Sequence, residues 1–239
     1  MTPPAATSAA LKIADPIVPQ IIQRLRQAII EMRLRPGEAL SEKEIALRYG
    51  VSRQPVREAF IKLAEQGLLQ VLPSRGTYVV KISVREVLNA RFVREAIECA
   101  LVSAAAGLID DDGVGRIERL IVAQKAAASA GDFSRFYALD EAFHRAIADC
   151  VECDYALRVV ESARAQTDRV RYLSLPEASP LSLLISQHEA ILAGLRARDP
   201  QQAEAAMRIH LREILSALPR LAERFPELFD TTSAPAHAL

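Results

Sequence analysis

Three short helix-like segments followed by two strand-like runs open the sequence, and this order limits the fold more than any other feature. Each helical segment places apolar residues at helical spacing and ends at a glycine or proline. A turn sequence, Pro-Ser-Arg-Gly at residues 73–76, separates the two strands. The five runs cover residues 16–33, 41–49, 52–66, 69–72 and 77–81. Three helices and a hairpin in about 65 residues predict a winged helix-turn-helix.

The remainder of the chain has an almost purely helical pattern, so we expect a mainly α protein with a C-terminal all-α bundle. Breaks at Asp, Gly and Pro residues divide it into about six helices. These cover residues 84–109, 113–130, 132–150, 154–174, 181–197 and 200–218. We therefore predict a disordered tail, a winged-helix domain, a helical domain and a loose C-terminus, with boundaries at 1–14, 15–81, 82–222 and 223–239.

Charge is distributed unevenly between the two predicted domains. Residues 11–81 contain 12 Lys and Arg against 7 Asp and Glu, although the whole chain has a net charge of zero. A basic first domain on a neutral chain favours a polyanionic partner for that domain. No apolar run of about 18 residues predicts a membrane span, and residues 1–10 do not resemble a signal peptide. We expect a cytoplasmic protein without a membrane partner.

Residues 40–60 have the pattern that a DNA-reading helix-turn-helix requires. Gly50 allows the tight turn between the second and third segments. Arg53 and Arg57 are four residues apart, so they project from one side of the third helix, where they can bind guanine edges in the major groove. Ser52 and the helix N-terminus can hold a phosphate. The alternative is that each arginine belongs to a solvated helix face.

The order of these motifs resembles the DNA-binding head of GntR-family regulators. The resemblance is carried by Leu40-Ser41-Glu42 and by residues 50–59, 63–69 and 75–79, where the last run reads Arg-Gly-Thr-Tyr-Val. It implies a homodimer that binds a short pseudo-palindrome in double-stranded operator DNA. By matching position, it implies that the DNA contacts are Ser52, Arg53, Gln54, Arg57 and Gly76, supported by Lys43 and Arg75.

One aspartate and three histidines lie on three of the predicted bundle helices. Asp140 and His144 are four residues apart and share a helix face, whereas His188 and His210 lie on two later helices. Their convergence in a bundle core would suit a divalent metal such as Zn, Ni, Mn or Fe. Histidines in a core are also common as packing residues, and spacing alone leaves both interpretations open.

The helical part also resembles the FCD ligand-binding domain of the FadR-like GntR subfamily. The similar segments are residues 94–98, 140–147, 188–199 and 203–211. This resemblance implies that Asp140, His144, His188 and His210 bind a divalent metal. It also implies a small carboxylate effector that completes the coordination and is neutralised by an arginine, for which Arg94 is the candidate. The alternative for Arg94 is an internal salt bridge with Glu98.

These features predict a transcriptional regulator, a repressor controlled by a small organic acid, and not an enzyme. A second hypothesis is a metal-dependent hydrolase fused to a DNA-binding head, since three histidines with an open position can activate water. However, His188-Glu189 is not followed by a second histidine, because position 192 is leucine. A third hypothesis is a dimeric DNA binder without an effector.

Overall fold

The N-terminal part of the molecule is a winged helix-turn-helix, as predicted. The computed structural model describes residues 15–174 and 180–230. Its first elements are α1 (Ile17–Ile30), β1 (Ala39–Leu40), α2 (Glu42–Tyr49), α3 (Arg53–Glu65), β2 (Leu69–Leu72) and β3 (Gly76–Val79). The three strands form an antiparallel sheet in the order β1-β3-β2, in which β2 and β3 make the wing.

Local sequence explains the boundaries of the helix-turn-helix. The hydroxyl of Ser41 accepts a hydrogen bond from the Glu44 amide and caps α2. Gly50 ends α2 with a left-handed backbone, at a φ of 66°. Val56, Phe60 and Leu63 of α3 are buried, and the head has its own apolar core. This core fixes the outward face of α3.

The C-terminal part is a helical bundle with seven α-helices within the described residues, one more than predicted. Its elements are β4 (Ile82–Ser83), α4 (Val84–Leu108), α5 (Asp111–Ser129), α6 (Phe133–Asp149), α7 (Asp154–Ser174), α8 (Leu181–Arg196), α9 (Pro200–Arg212) and α10 (Ile214–Arg224). The segment predicted over 200–218 divides at Glu213, where the amide bonds to the carbonyl of His210 three residues back and the regular ladder is interrupted. No helix in the described ranges is long and apolar enough to cross a membrane.

Residues 223–230 carry regular structure that the sequence did not predict. We expected residues 223–239 to be loose, but α10 continues to Arg224 and a short 3₁₀ turn follows at Pro226–Leu228. Strand β5 (Phe229–Asp230) then pairs in parallel with β4, so that Phe229 lies opposite Ile82. The apolar side chains of Leu228 and Phe229 are buried in a core that includes Ile82, and this burial holds the segment. The predicted tail at 1–14 and residues 231–239 lie outside the described residues.

Helix α7 connects the head to the bundle. The buried guanidinium of Arg169 donates a hydrogen bond to the carbonyl of Val80, at 2.6 Å, and Ala165 packs into the core of the head. Gln166 Nε2 lies 3.2 Å from the carbonyl oxygens of Gln66 and Gly67, just after α3. The opposite face of α7 packs against the bundle, so this helix touches both domains.

Candidate functional site

The first candidate site is the exposed N-terminal part of α3. The side chains of Arg53 and Arg57 are 62% and 56% exposed, and both reach the carboxylate of Glu42 on α2. Arg53 Nη2 lies 3.0 Å from Glu42 Oε2, and Arg57 Nε lies 3.2 Å from Glu42 Oε1. The two guanidinium groups therefore point outward on the same side of α3.

The other predicted DNA contacts are also exposed on the head. Ser52 has an extended backbone and its hydroxyl makes no capping bond to α3, so it is available to a ligand. Lys43, Gln54 and Arg75 are exposed on α2, α3 and the wing turn. Gly76 follows with a φ of 107°, a conformation that favours glycine, and the Tyr78 hydroxyl donates to the Arg75 carbonyl at 2.8 Å. This bond closes the wing tip.

The second candidate site is a cluster of four buried side chains in the bundle. Asp140 and His144 come from α6, His188 from α8 and His210 from α9, and none is more than 5% exposed. His210 Nε2 lies 3.1 Å from His144 Nε2 and 3.4 Å from His188 Nε2. His188 Nε2 lies 3.4 Å from Asp140 Oδ1. One donor atom from each residue falls within 4.8 Å of the others.

The outer nitrogens of the three imidazoles face oxygen atoms. His188 Nδ1 lies 2.8 Å from Gln124 Oε1, and His210 Nδ1 lies 3.1 Å from Gln187 Oε1. His144 Nδ1 is 2.6 Å from Glu98 Oε2, although this contact lies off the ideal hydrogen-bond direction. Because an amide oxygen accepts, Nδ1 of His188 and of His210 donates, and its Nε2 keeps a lone pair directed inward.

Electrostatics keep the imidazoles neutral and the aspartate ionised. Burial lowers the pKa of His144 to about 4, and it lowers the pKa of His188 and, strongly, that of His210. Burial alone would raise the pKa of Asp140, but Arg171 and His188 hold it well below its ordinary value. The inward lone pairs of His188 Nε2 and His210 Nε2, 3.4 Å apart, repel each other unless a cation lies between them. The donor set fits a divalent transition metal.

Charged side chains of α7 surround the aspartate of this cluster. Arg164 Nη2 lies 3.0 Å from Asp140 Oδ2, and Arg171 Nη1 lies 3.1 Å from Asp140 Oδ1. Asp168 is fully buried and accepts a hydrogen bond from the Tyr137 hydroxyl. Asp168 Oδ1 is also 3.8 Å from Arg164 Nε. Ion pairs from Asp140 to Arg164 and Arg171 thus connect the cluster to α7.

Arg94 lies beside the cluster and forms the salt bridge with Glu98 that was the alternative interpretation of its role. It is 2% exposed, and its Nε lies 2.6 Å from Glu98 Oε1, which is the expected salt bridge. Its Nη1 donates to Thr167 Oγ1 at 3.1 Å. The buried Nη2 has no hydrogen-bond partner within the described part of the chain. One end of the guanidinium therefore keeps unused donors within the described structure.

A small cavity of about 20 Å³ lies beside His144 of the cluster. His144, Arg164 and Glu98 line one part of it, and apolar side chains including Leu157 and Val160 line another. The cavity thus has a polar and an apolar side, and its volume holds about one water molecule.

Three residues that contact the site residues, Gln124, Gln187 and Glu42, were not predicted from the sequence. Gln124 has a detectable signal, because it is a polar residue on the buried stripe of α5, between Ile121 and Ala127. Gln187 immediately precedes a predicted ligand but has no pattern of its own, and Glu42 served only as part of the family motif. Their roles depend on contacts between helices, which one sequence does not specify.

A winged-helix head with outward arginines, joined to a helical bundle, defines the class of DNA-binding transcriptional regulators. Residues 18–79 match the family described as bacterial regulatory proteins, gntR family, and residues 90–213 match the FCD domain. The chain therefore belongs to the GntR family and carries an FCD domain. This membership makes it a transcriptional regulator and not an enzyme.

Similar proteins agree with this assignment. The chain is 40% identical over 219 residues to the HTH-type transcriptional repressor RspR of Escherichia coli K12, which covers 92% of this chain and 96% of that protein. It is 36% identical over 214 residues to an HTH-type regulator from an unstable DNA locus of Streptomyces ambofaciens, covering 90% of each chain. The solved structure of E. coli McbR/YncC has a TM-score of 0.78 at 20% identity, over 86% of this chain and 98% of that chain, and shares the fold.

Proposed function

We propose that this protein is a homodimeric, cytoplasmic repressor that binds operator DNA and responds to a small carboxylate effector held near a divalent metal. The observation that carries this proposal is the convergence of Asp140, His144, His188 and His210 in the core of the bundle. A relative that is 40% identical and is named a transcriptional repressor supports the direction of regulation.

The head would read DNA through α3. Arg53 and Arg57 would bind guanine O6 and N7 in the major groove, and Gln54 would contact a neighbouring base. Ser52 and Lys43 would bind phosphates at the start of α3 and on α2. At the wing tip, Arg75 and Gly76 would contact the backbone or the minor groove. The exposure of all seven side chains or backbones supports this assignment.

The four clustered side chains would hold Zn, Ni, Mn or Fe. Neutral imidazoles and one carboxylate suit these ions, and the glutamine oxygens behind His188 and His210 keep the donor nitrogens directed inward. When bound, the metal supplies a positive centre with coordination positions that remain open for an oxygen ligand.

The charge balance of the core favours an anionic effector. Three buried arginines, Arg94, Arg164 and Arg171, face three buried carboxylates, Glu98, Asp140 and Asp168. A divalent cation would leave this group with excess positive charge, which is costly in a buried site. A small carboxylate offsets that excess, and the unpartnered Nη2 of Arg94 offers it a further donor.

Helix α7 would carry the response to the head. From the cluster, contacts run from Asp140 to Arg164 and then to Asp168. Arg26 of α1 reaches Asp168 Oδ2 at 3.6 Å and donates to the carbonyl of Glu161 at 3.2 Å. An effector that changes the charge at Asp140 would thus bias the position of the head, to the extent that it binds one arrangement better than another.

Native mass spectrometry of protein purified without chelator tests the sensing half of the proposal. We expect a dimer with one metal ion per chain, and we expect the metal to be lost in a variant with Asp140→Ala and His188→Ala. Wild-type protein that stays metal-free after incubation with Zn, Ni, Mn or Fe salts would contradict the metal site. A dimer whose DNA affinity ignores every metal and small acid tested would instead be a DNA binder without an effector.

A further inference from the structure

We propose that Glu42 is a positioning residue for DNA reading, whose carboxylate holds both recognition arginines in the orientation that base edges require. It would set sequence discrimination while lowering affinity for DNA in general. This inference rests on the proposed DNA-reading role of Arg53 and Arg57.

The geometry joins two helices through one carboxylate. Glu42 is the first residue of α2, whereas Arg53 and Arg57 lie in the first turns of α3. Arg57 approaches both oxygens, with Nε 3.2 Å from Oε1 and Nη2 3.4 Å from Oε2, and Arg53 Nη2 is 3.0 Å from Oε2. The hydrogen bond from Arg57 is the largest cause of the lowered pKa of Glu42, so the carboxylate is ionised at neutral pH. A single anion thus fixes the relative orientation of two cations.

The number of N–H donors on each arginine is large enough to bind Glu42 and a guanine at the same time. A guanidinium has five N–H donors. Glu42 occupies one donor of Arg53 and two donors of Arg57. Among the residues that the structure describes, both N–H groups of Nη1 and one of Nη2 have no partner on either arginine. One N–H from Nη1 and one from Nη2 form the fork that can meet guanine O6 and N7. The carboxylate therefore need not be displaced when DNA binds.

Electrostatics give the proposal its distinctive consequence. A carboxylate next to the groove repels phosphates and lowers affinity for every duplex. Ordering a long side chain before binding saves the entropy that binding would otherwise cost, about two- to tenfold in affinity for each arginine that finds its base. The first effect acts on all sequences, whereas the second acts only on the operator. Loss of the carboxylate should therefore raise non-specific affinity and reduce discrimination.

The test compares full-length Glu42→Gln with Glu44→Gln. Glu44 is an exposed glutamate on the same helix that pairs with neither arginine in the described residues, so both variants change the charge equally. Each protein, with Arg53→Ala and Arg57→Ala as further variants, selects duplexes from a randomised library. Fluorescence anisotropy then measures Kd for the duplex selected by the wild type and for a scrambled duplex.

We expect Glu44→Gln to tighten binding of both duplexes equally. Glu42→Gln should lower the ratio of scrambled to selected Kd by about fivefold or more, consistent with two arginines losing their order. Its selected motif should lose information at the base pairs that Arg53→Ala or Arg57→Ala also erases, with an unchanged melting temperature for the head.

Two results would overturn the inference while leaving the DNA-reading proposal intact. One is a Glu42→Gln protein with the wild-type motif and Kd ratio, and the other is an equal loss of discrimination in Glu44→Gln. If Arg53→Ala and Arg57→Ala kept the wild-type motif, or if the wild type selected no motif, the proposed reading by α3 would itself be wrong.

Discussion

Single buried polar residues orient the imidazoles of the histidine cluster. Gln124 is fully buried. Its Oε1 lies 2.8 Å from His188 Nδ1, and its Nε2 donates a hydrogen bond to the Leu139 carbonyl at 3.2 Å. An imidazole without such a partner loses both its orientation and part of its basicity. The residue behind a ligand therefore matters nearly as much as the ligand.

Replacing Gln124 tests this point. We expect Gln124→Leu to weaken metal affinity by about 10- to 100-fold, the usual effect of removing an outer-shell partner. Competition between the protein and a chromophoric chelator measures this affinity for zinc. Gln124→Glu keeps an acceptor oxygen for His188 Nδ1 but loses the donor to the Leu139 carbonyl, so it should retain more zinc affinity than the leucine variant and less than the wild type. Equal zinc affinity in the wild-type and leucine proteins would show that the glutamine has no such role.

The buried carboxylate of Glu95 should make the free energy of unfolding depend on pH. Its carboxylate accepts hydrogen bonds from Arg212, Arg91 and Arg208, and the bond from Arg212 is the largest cause that lowers its pKa to about 2. A carboxylate with a lowered folded-state pKa stabilises the fold above its unfolded pKa of 4.5 and loses this contribution as pH falls towards 2. Partial exposure of Arg208 and Arg212 limits the contribution to about 1 kcal/mol.

We therefore expect Glu95→Gln to lower the free energy of unfolding by about 1 kcal/mol at pH 7. The difference from the wild type should shrink between pH 4.5 and pH 2. Urea unfolding followed by circular dichroism at several pH values measures both quantities. A difference that stays constant down to pH 2 would mean that the carboxylate charge is not responsible.

At the scale of elements, the sequence predicts helix boundaries that depend on neighbouring residues. It does not predict contacts between residues that are distant in the chain. Ser41, Asp110 and Asp199 cap helices at or near the predicted starts, because capping uses residues within one turn. The pairing of β4 with β5 joins residues almost 150 positions apart through two-residue strands, which leave no periodic pattern. The division between α9 and α10 has no glycine or proline to announce it.

The close approach of α8 and α9 is another non-local feature that positions the candidate site. A Cβ atom on Gly194 would lie 2.6 Å from the Ala203 amide nitrogen, so only glycine allows this contact. The two helices carry His188 and His210. Their separation therefore depends on a residue six positions away from the first of these histidines.

We expect Gly194→Ala to destabilise the bundle by about 1–3 kcal/mol and to weaken metal binding, because overpacking forces α8 away from α9. Gly107→Ala is the matched control, since a Cβ there meets nothing within 4 Å and alanine favours a helix. Thermal unfolding and zinc competition measure the two effects. If both alanine variants behaved alike, the packing of these helices would not govern the cluster.

At the scale of the whole molecule, α7 is the element that both domains share. The resemblance to the GntR head and the FCD domain predicted the two domains and the histidine cluster, because short sequence motifs carry that resemblance. It did not predict the chain of contacts from Arg26 through Asp168 to Arg164, since these residues come together only when the domains pack. The proposed communication between the domains therefore depends on contacts that exist only in the assembled fold.

Arg26→Gln should uncouple the domains without unfolding either one. We expect this variant to bind metal and DNA, but the effect of metal and effector on DNA affinity should fall at least about fivefold, since typical couplings are about 5- to 150-fold. Arg24→Gln is the control, because Arg24 lies on the same helix with its guanidinium over the Tyr49 ring. A wild-type response in Arg26→Gln would rule out this route.

In the proposed mechanism, the buried cluster controls DNA reading by the head. Fluorescence anisotropy with the library-selected duplex tests it most directly, using chelator-treated protein, metal-loaded protein and metal-loaded protein with a panel of small carboxylic acids. We predict that metal with at least one acid changes Kd by about fivefold or more, and that the variant with Asp140→Ala and His188→Ala shows no change. An identical Kd in all states of the wild-type protein would contradict the claim.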